Sequence, residues 1–161
     1  MRRMLYTPEE LQRRDASPWT RVQAVLAPAQ FAAFALSLAL ISRYLSTGEG
    51  FAVASASVVL KTVLLYAIMV TGSLWEHDVY GRYLFAPAFF WEDVVSMAVI
   101  ALHTAYLVAL LAGALTPRGL MSLALTAYAT YAFNAGQYLW KFGAARRQRR
   151  EEALGLSGAQ P

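Results

Sequence analysis

Residues 51–73 read FAVASASVVLKTVLLYAIMVTGS, a run in which Lys61 is the one charged position. About 20 apolar residues in a helix cross the roughly 30 Å of bilayer hydrocarbon, so this run predicts a membrane crossing. Working outward, residues 22–44, 94–115 and 120–140 read the same way. The chain has 161 residues, 58% of them hydrophobic and only 15% charged. That is more apolar matter than a soluble domain of this length can bury, and lipid must cover the rest. The expected fold class is all-α: an integral-membrane antiparallel four-helix bundle over residues 1–145, with a short N-terminal surface helix, and then a basic, unstructured cytoplasmic tail over residues 146–161.

Punctuation between the runs supports this division. Thr7-Pro8-Glu9-Glu10 predicts a helix start with Thr7 as N-cap, Pro8 at the first helical position and Glu10 closing a capping box. Ser17-Pro18-Trp19 repeats the signal, with Trp19 at the headgroup level and Pro28 inside the first crossing expected to kink it. That crossing is too long for a signal peptide. Basic residues gather at the two ends, Arg2, Arg3, Arg13, Arg14 and Arg21 in front and Lys141, Arg146, Arg147, Arg149 and Arg150 behind. Both termini are therefore expected on the cytoplasmic side of a bacterial inner membrane, with residues 75–93 beside them. Anionic lipid accounts for the basic clusters, so the bilayer is the expected partner and nucleic acid is not. Cysteine is absent, which excludes disulfides, iron–sulfur clusters and thiolate chemistry.

Polar residues recur on one side of each run. Gln23, Gln30, Ser37 and Tyr44 are spaced by seven; Glu92, Ser96, His103 and Tyr106 fall at +4, +7 and +3; Asn134, Gln137, Tyr138 and Lys141 share a third arc. Two readings stand for these faces, hydrogen bonds between helices and the lining of an occupied interior.

The segment WEHDVYGRYLFAPAFFWED, residues 75–93, is unlike an idle connector, because it sets four carboxylates among aromatic rings. Glu92 and Asp93 open a helix, where the macrodipole favours negative charge, and Glu76 and Asp78 come near them if the second and third crossings are neighbours. Carboxylates gathered beside apolar rings couple, and one is expected to hold a proton near neutral pH and serve as a general acid. Tyr83, Phe89, Phe90 and Trp91 read either as a face for a flat apolar ligand or as an interfacial belt. Lys61 and His103 lie deepest, roughly 13 to 18 Å from the nearer ends of their runs. Ionisable side chains at that depth mark function by default, against the plainer reading of an interhelical contact for His103 and a snorkelling Lys61. Two histidines without the usual spacings build no zinc or di-iron site, and no phosphate loop is present.

Four stretches carry a resemblance: Tyr6-Thr-Pro-Glu-Glu, Ala67-Ile-Met-Val-Thr-Gly-Ser, Tyr83-Leu-Phe-Ala-Pro-Ala-Phe-Phe-Trp-Glu-Asp-Val and Leu102-His-Thr-Ala-Tyr-Leu. With them the chain resembles the vinyl (bacterio)chlorophyllide hydratase family over roughly residues 5 to 145. The resemblance implies a membrane enzyme of phototrophic bacteria that adds water across the C3 vinyl group of chlorophyllide a, or of 3-vinyl bacteriochlorophyllide a, to give a 1-hydroxyethyl group. The residues suit such a step. A carboxylic acid among Glu92, Asp93, Glu76 and Asp78 protonates the terminal vinyl carbon, and a base among them assists water addition. Aromatic rings, Tyr83, Phe89, Phe90, Trp91 and Tyr106 among them, are expected against the macrocycle. Arg82 or Lys61 is expected at the propionate, and His103 is a candidate ligand for the substrate's own magnesium. No further cofactor or protein-bound metal is expected, and other pigment-biosynthesis enzymes are candidate partners. Two other functions use the same residues without proton transfer: a tetrapyrrole-binding membrane carrier, and a small haem- or quinone-binding membrane subunit.

Overall fold

The computed structural model describes residues 5–153, all of whose regular structure is helical: α1 Pro8–Ala16, α2 Pro18–Thr47, α3 Phe51–Tyr80, α4 Phe90–Ala112 and α5 Pro117–Ala153. Thr7 caps α1 with its hydroxyl on the Glu10 N–H at 3.2 Å, and the Glu10 carboxylate returns to the Thr7 N–H at 2.7 Å. Ser17 ends α1 and caps α2 by accepting from the Trp19 N–H at 3.3 Å. Helix α2 continues through Pro28 and ends on Gly48, whose φ of 77° belongs to the left-handed region that a Cβ disfavours. Gly81 does the same for α3 at φ 73°.

Helices α2, α3 and α4 are each long and apolar enough to cross a bilayer, and the chain is a membrane protein. Large apolar side chains such as Val25, Leu36, Val53, Val63 and Val108 point away from the fold, as hydrocarbon would favour. Helix α5 covers the fourth expected crossing but is not among the helices apolar enough by that measure, since Asn134, Gln137 and several tyrosines interrupt it. It also runs on to Ala153. The tail expected to lack structure from residue 146 is thus helical for its first turns, while residues 154–161 lie outside the described residues.

Helix α2 packs mainly on α3, and α4 mainly on α5. Around the two short links lies the apolar core, with Ile41, Val58, Tyr106, Met121, Ala124 and Tyr128 buried. The polar arcs face inward. Gln30, Ser37 and Tyr44 are buried on α2, Glu92, Ser96, His103 and Tyr106 on α4, and Asn134 on α5. Hydroxyls join them across helices: Ser37 meets Tyr128 and Ser57, and Ser55 meets Tyr106, each at 2.7 Å. At the other end of the helices α1, the loop of residues 81–89 and the stretch of α5 from Tyr138 to Arg146 come together. There the Tyr80 hydroxyl donates to the Leu5 carbonyl at 3.3 Å, and the rings of Phe89 and Phe142 stand 5.8 Å apart.

Candidate active site

The helices α3 and α4 outrun the apolar runs of the sequence, and what they carry beyond those runs is acidic. Glu76, in the last turns of α3, and Glu92 and Asp93, in the first turn of α4, are all buried. The Glu76 and Asp93 carboxyl groups lie within hydrogen-bonding reach of each other, and Glu92 acts electrostatically on both. Two carboxyl groups can hydrogen-bond only if one holds a proton. The surrounding donors indicate which. Asp93 accepts from the Phe85 N–H at 2.7 Å through Oδ2 and from the Tyr138 hydroxyl at 3.4 Å through Oδ1, whereas Glu76 accepts only the longer Ala86 N–H contact at 3.2 Å. Burial raises both carboxyl groups, and donors stabilise the ionised form, so the arrangement favours the charge on Asp93 and the proton on Glu76.

The loop over the pair is held in an unusual shape for this purpose. Phe85 has φ 60°, a left-handed conformation that a bulky non-glycine residue rarely adopts, and it aims the Phe85 N–H at Asp93. Lys141 of α5 reaches the same loop by donating to the Ala88 carbonyl and forms an ion pair with Glu92 at 2.6 Å. Its ammonium lies 5.0 Å from the centre of the Phe89 ring. Phe89 is the hub of the apolar wall, packing on Trp75 at 5.7 Å, Tyr80 at 5.9 Å and Tyr138 at 5.8 Å. Trp75 is fixed by its indole N–H, which donates to Thr20 at 2.9 Å. Tyr138 also bonds to Ser96, which accepts from Asn134 at 2.7 Å, so the polar line continues inward from the carboxylates.

The structure gathers Glu76, Glu92, Asp93 and Phe89 from the residues singled out in the sequence, and leaves the others elsewhere. Asp78 accepts from the Ser17 hydroxyl at 2.6 Å and ties α3 to the start of α2, away from the cluster. Arg82, Tyr83, Phe90 and Trp91 are exposed, Trp91 at 68%. Tyr83 stacks on His77, with centroids 4.3 Å apart, and Phe90 meets Trp91 edge to face. Lys61, His103 and Tyr106 are fully buried but deeper; His103 lies ten residues past Asp93, about 15 Å along α4. Its Nδ1 donates to the Val99 carbonyl at 2.8 Å, which leaves Nε2 a bare acceptor; Nε2 and the Lys61 ammonium both lack hydrogen-bond partners. The ammonium rests instead 3.6 Å from the Tyr131 ring centre. Lys141 and Tyr138 complete the cluster without having been chosen from sequence, although both lie on the polar arc of α5.

A buried acid, a buried charged partner for it and a separate ion pair, all beneath aromatic rings, can deliver a proton and take one back next to a flat apolar molecule. The comparisons with known proteins agree with that chemistry. No solved structure matches this chain. The protein named 2-vinyl bacteriochlorophyllide hydratase in Rhodobacter capsulatus is 61% identical over 155 residues, covering 96% of this chain and 90% of the relative. The protein of the same name in Cereibacter sphaeroides is 63% identical over 145 residues, 89% of each chain. The family described as 2-vinyl bacteriochlorophyllide hydratase matches residues 6–144, and the chain belongs to that family.

Proposed function

We propose that this protein hydrates the C3 vinyl group of a chlorophyllide-type magnesium tetrapyrrole in bacteriochlorophyll biosynthesis, with Glu76 as the acid. The hydrogen-bonded Glu76–Asp93 pair carries this reading. Glu76 gives its proton to the terminal vinyl carbon as the double bond's electron pair forms the new C–H bond. The cation left on the ring-attached carbon is delocalised into the macrocycle and is stabilised by the negative charges of Asp93 and Glu92. Water adds to that carbon, and the proton it sheds returns to the carboxylates, which restores the starting state with no cofactor. Lys141 keeps Glu92 in place, and Tyr138 and the Phe85 N–H do so for Asp93.

In this reading Phe89 is the ring nearest the reacting edge, and the exposed Tyr83, Phe90, Trp91 and Arg82 form the face the pigment meets on approach. Lys61 and His103 lie too deep to act on the same carbon as Glu76, and take no part in the proton transfers. The four helices α2 to α5 act as one antiparallel bundle, with α5 as the fourth crossing, screened by its neighbours. α1 lies on the membrane surface, and the carboxylates and both termini face the cytoplasm of a bacterial inner membrane.

The test is direct. Membranes containing the protein are given a 3-vinyl chlorophyllide, and loss of vinyl conjugation is followed by absorption and gain of one water by mass. Hydration by wild type and none by Glu76→Gln, with pigment still bound, is expected. A wild-type protein that binds pigment and leaves its mass unchanged is a carrier.

A further inference from the structure

Beside the carboxylates, and not used in the scheme above, is a cleft of about 280 Å³ lined by Tyr6, Arg14, Phe142, Ala145 and Arg146. It is built where α1 meets the end of α5. Only one layer of rings separates it from the acid pair. Phe142 stacks on Tyr138 at 6.2 Å and packs on Phe89 at 5.8 Å, and Tyr138 in turn donates to Asp93. On its other wall Tyr6 stacks on Tyr80 at 6.1 Å, and Tyr80 packs on Phe89.

The cleft combines flat apolar faces with guanidinium groups. Arg14 is bound to Asp15 through two of its N–H groups and stands 5.2 Å from the Tyr6 ring centre. Arg146 has no ion-pair partner among the described residues. Asp15 holds Arg14, and Glu10 lies behind the Tyr6 wall, where it acts on Tyr80, so the charge open to a ligand at the mouth is that of Arg146. Guanidinium forks recognise planar anionic groups, carboxylates above all, and aromatic walls accept a flat apolar frame. The volume is at or below the lower end for small-molecule pockets, so it admits one edge of a macrocycle and its side arm, not the whole ring.

We propose that this cleft is the carboxylate subsite of the enzyme, taking the free propionate of the chlorin on Arg14 and Arg146, and so selects the free acid over esterified pigment. The inference rests on the hydratase reading for the identity of the ligand, and it assigns that ligand an orientation: acid arm at the α1–α5 cleft, vinyl group inward past Phe142 and Tyr138.

The experiment compares chlorophyllide a with its propionate methyl ester on the full-length protein in nanodiscs, reading binding by pigment fluorescence and hydration by mass. The free acid is expected to bind about tenfold tighter than the ester, as for a hydrogen bond to a charged group. Arg14→Gln with Arg146→Gln is expected to remove the difference by weakening the acid alone, raising KM more than it lowers kcat. Equal binding of acid and ester by wild type overturns the proposal, and that comparison decides even if the double variant does not accumulate. A double variant that keeps the preference also overturns it. So does one that binds pigment normally but no longer retains phosphatidylglycerol, which would make the cleft a lipid-phosphate site. An arginine-dependent preference in a protein that never adds water would overturn the hydratase reading and leave the subsite standing. Equal hydration of acid and ester would do the reverse.

Discussion

Glu76 on α3 and Asp93 on α4 share a hydrogen bond between their carboxyl groups, closed over by the backbone N–H groups of Ala86 and Phe85. One proton serves two side chains that stand seventeen positions apart in the sequence, and in the proposed mechanism it is the proton that moves. Glu76→Gln and Asp93→Asn are each expected to lower the hydration rate by about 100-fold or more, the usual scale for losing a general acid or its partner. An infrared band of a protonated carboxyl group should be present in wild type and absent in Glu76→Gln. A band that survives there and vanishes in Asp93→Asn would put the proton on Asp93.

Lys141→Met should be the most damaging change to stability in this region. It leaves Glu92, whose side chain is 7% exposed, charged and unpaired, a loss of about 3–5 kcal/mol for a buried pair. Thermal unfolding in detergent measures it. Adding Glu92→Gln to Lys141→Met should recover much of the loss, and failure to do so would mean that the Ala88 carbonyl contact matters more than the ion pair.

Asp78→Asn is expected to leave the hydration rate unchanged and to cost about 1 kcal/mol through its bond to Ser17. A rate loss like that of Glu76→Gln would return Asp78 to the acid and base set.

Lys61→Met should keep or raise thermal stability, since an apolar side chain of similar size replaces a buried ammonium without a hydrogen-bond partner, and only the contacts with the Tyr131 and Tyr128 rings are lost. Pigment affinity should not change. A fall in affinity for the free acid but not the ester would place the propionate at Lys61 and count against the arginine cleft.

Much of this arrangement is legible in the chain itself. The Thr7 capping box, the start at Ser17 and the seven-residue polar series all follow from local rules of spacing, which no tertiary contact has to supply. The placing of Asp78 was legible too, in a way that composition hides. Two residues along a helix turn the side chain by about 200°, so Glu76 and Asp78 face opposite sides, and only one of them can meet α4. The ion pair of Glu92 with Lys141 could not be read. Nothing in the sequence says which residue of α5 stands at the level of the first turn of α4, and a lysine beside a basic tail looks like part of that tail. The inward turn of Phe89 between half-buried Ala88 and exposed Phe90 depends likewise on a loop conformation that includes an unfavourable φ at Phe85.

The pairing of α2 with α3 and of α4 with α5 divides the machinery unevenly. Glu76, the proposed acid, belongs to the first pair, and its partner Asp93, the ion pair and Tyr138 to the second. In the proposed mechanism neither half is competent by itself, and catalysis becomes a readout of their union. A chain severed in the exposed stretch at Gly81 to Tyr83 yields two fragments, each a complete helical pair, inert apart and active on reassembly. The enzyme is in effect a heterodimer written on one chain, with its reaction at the join.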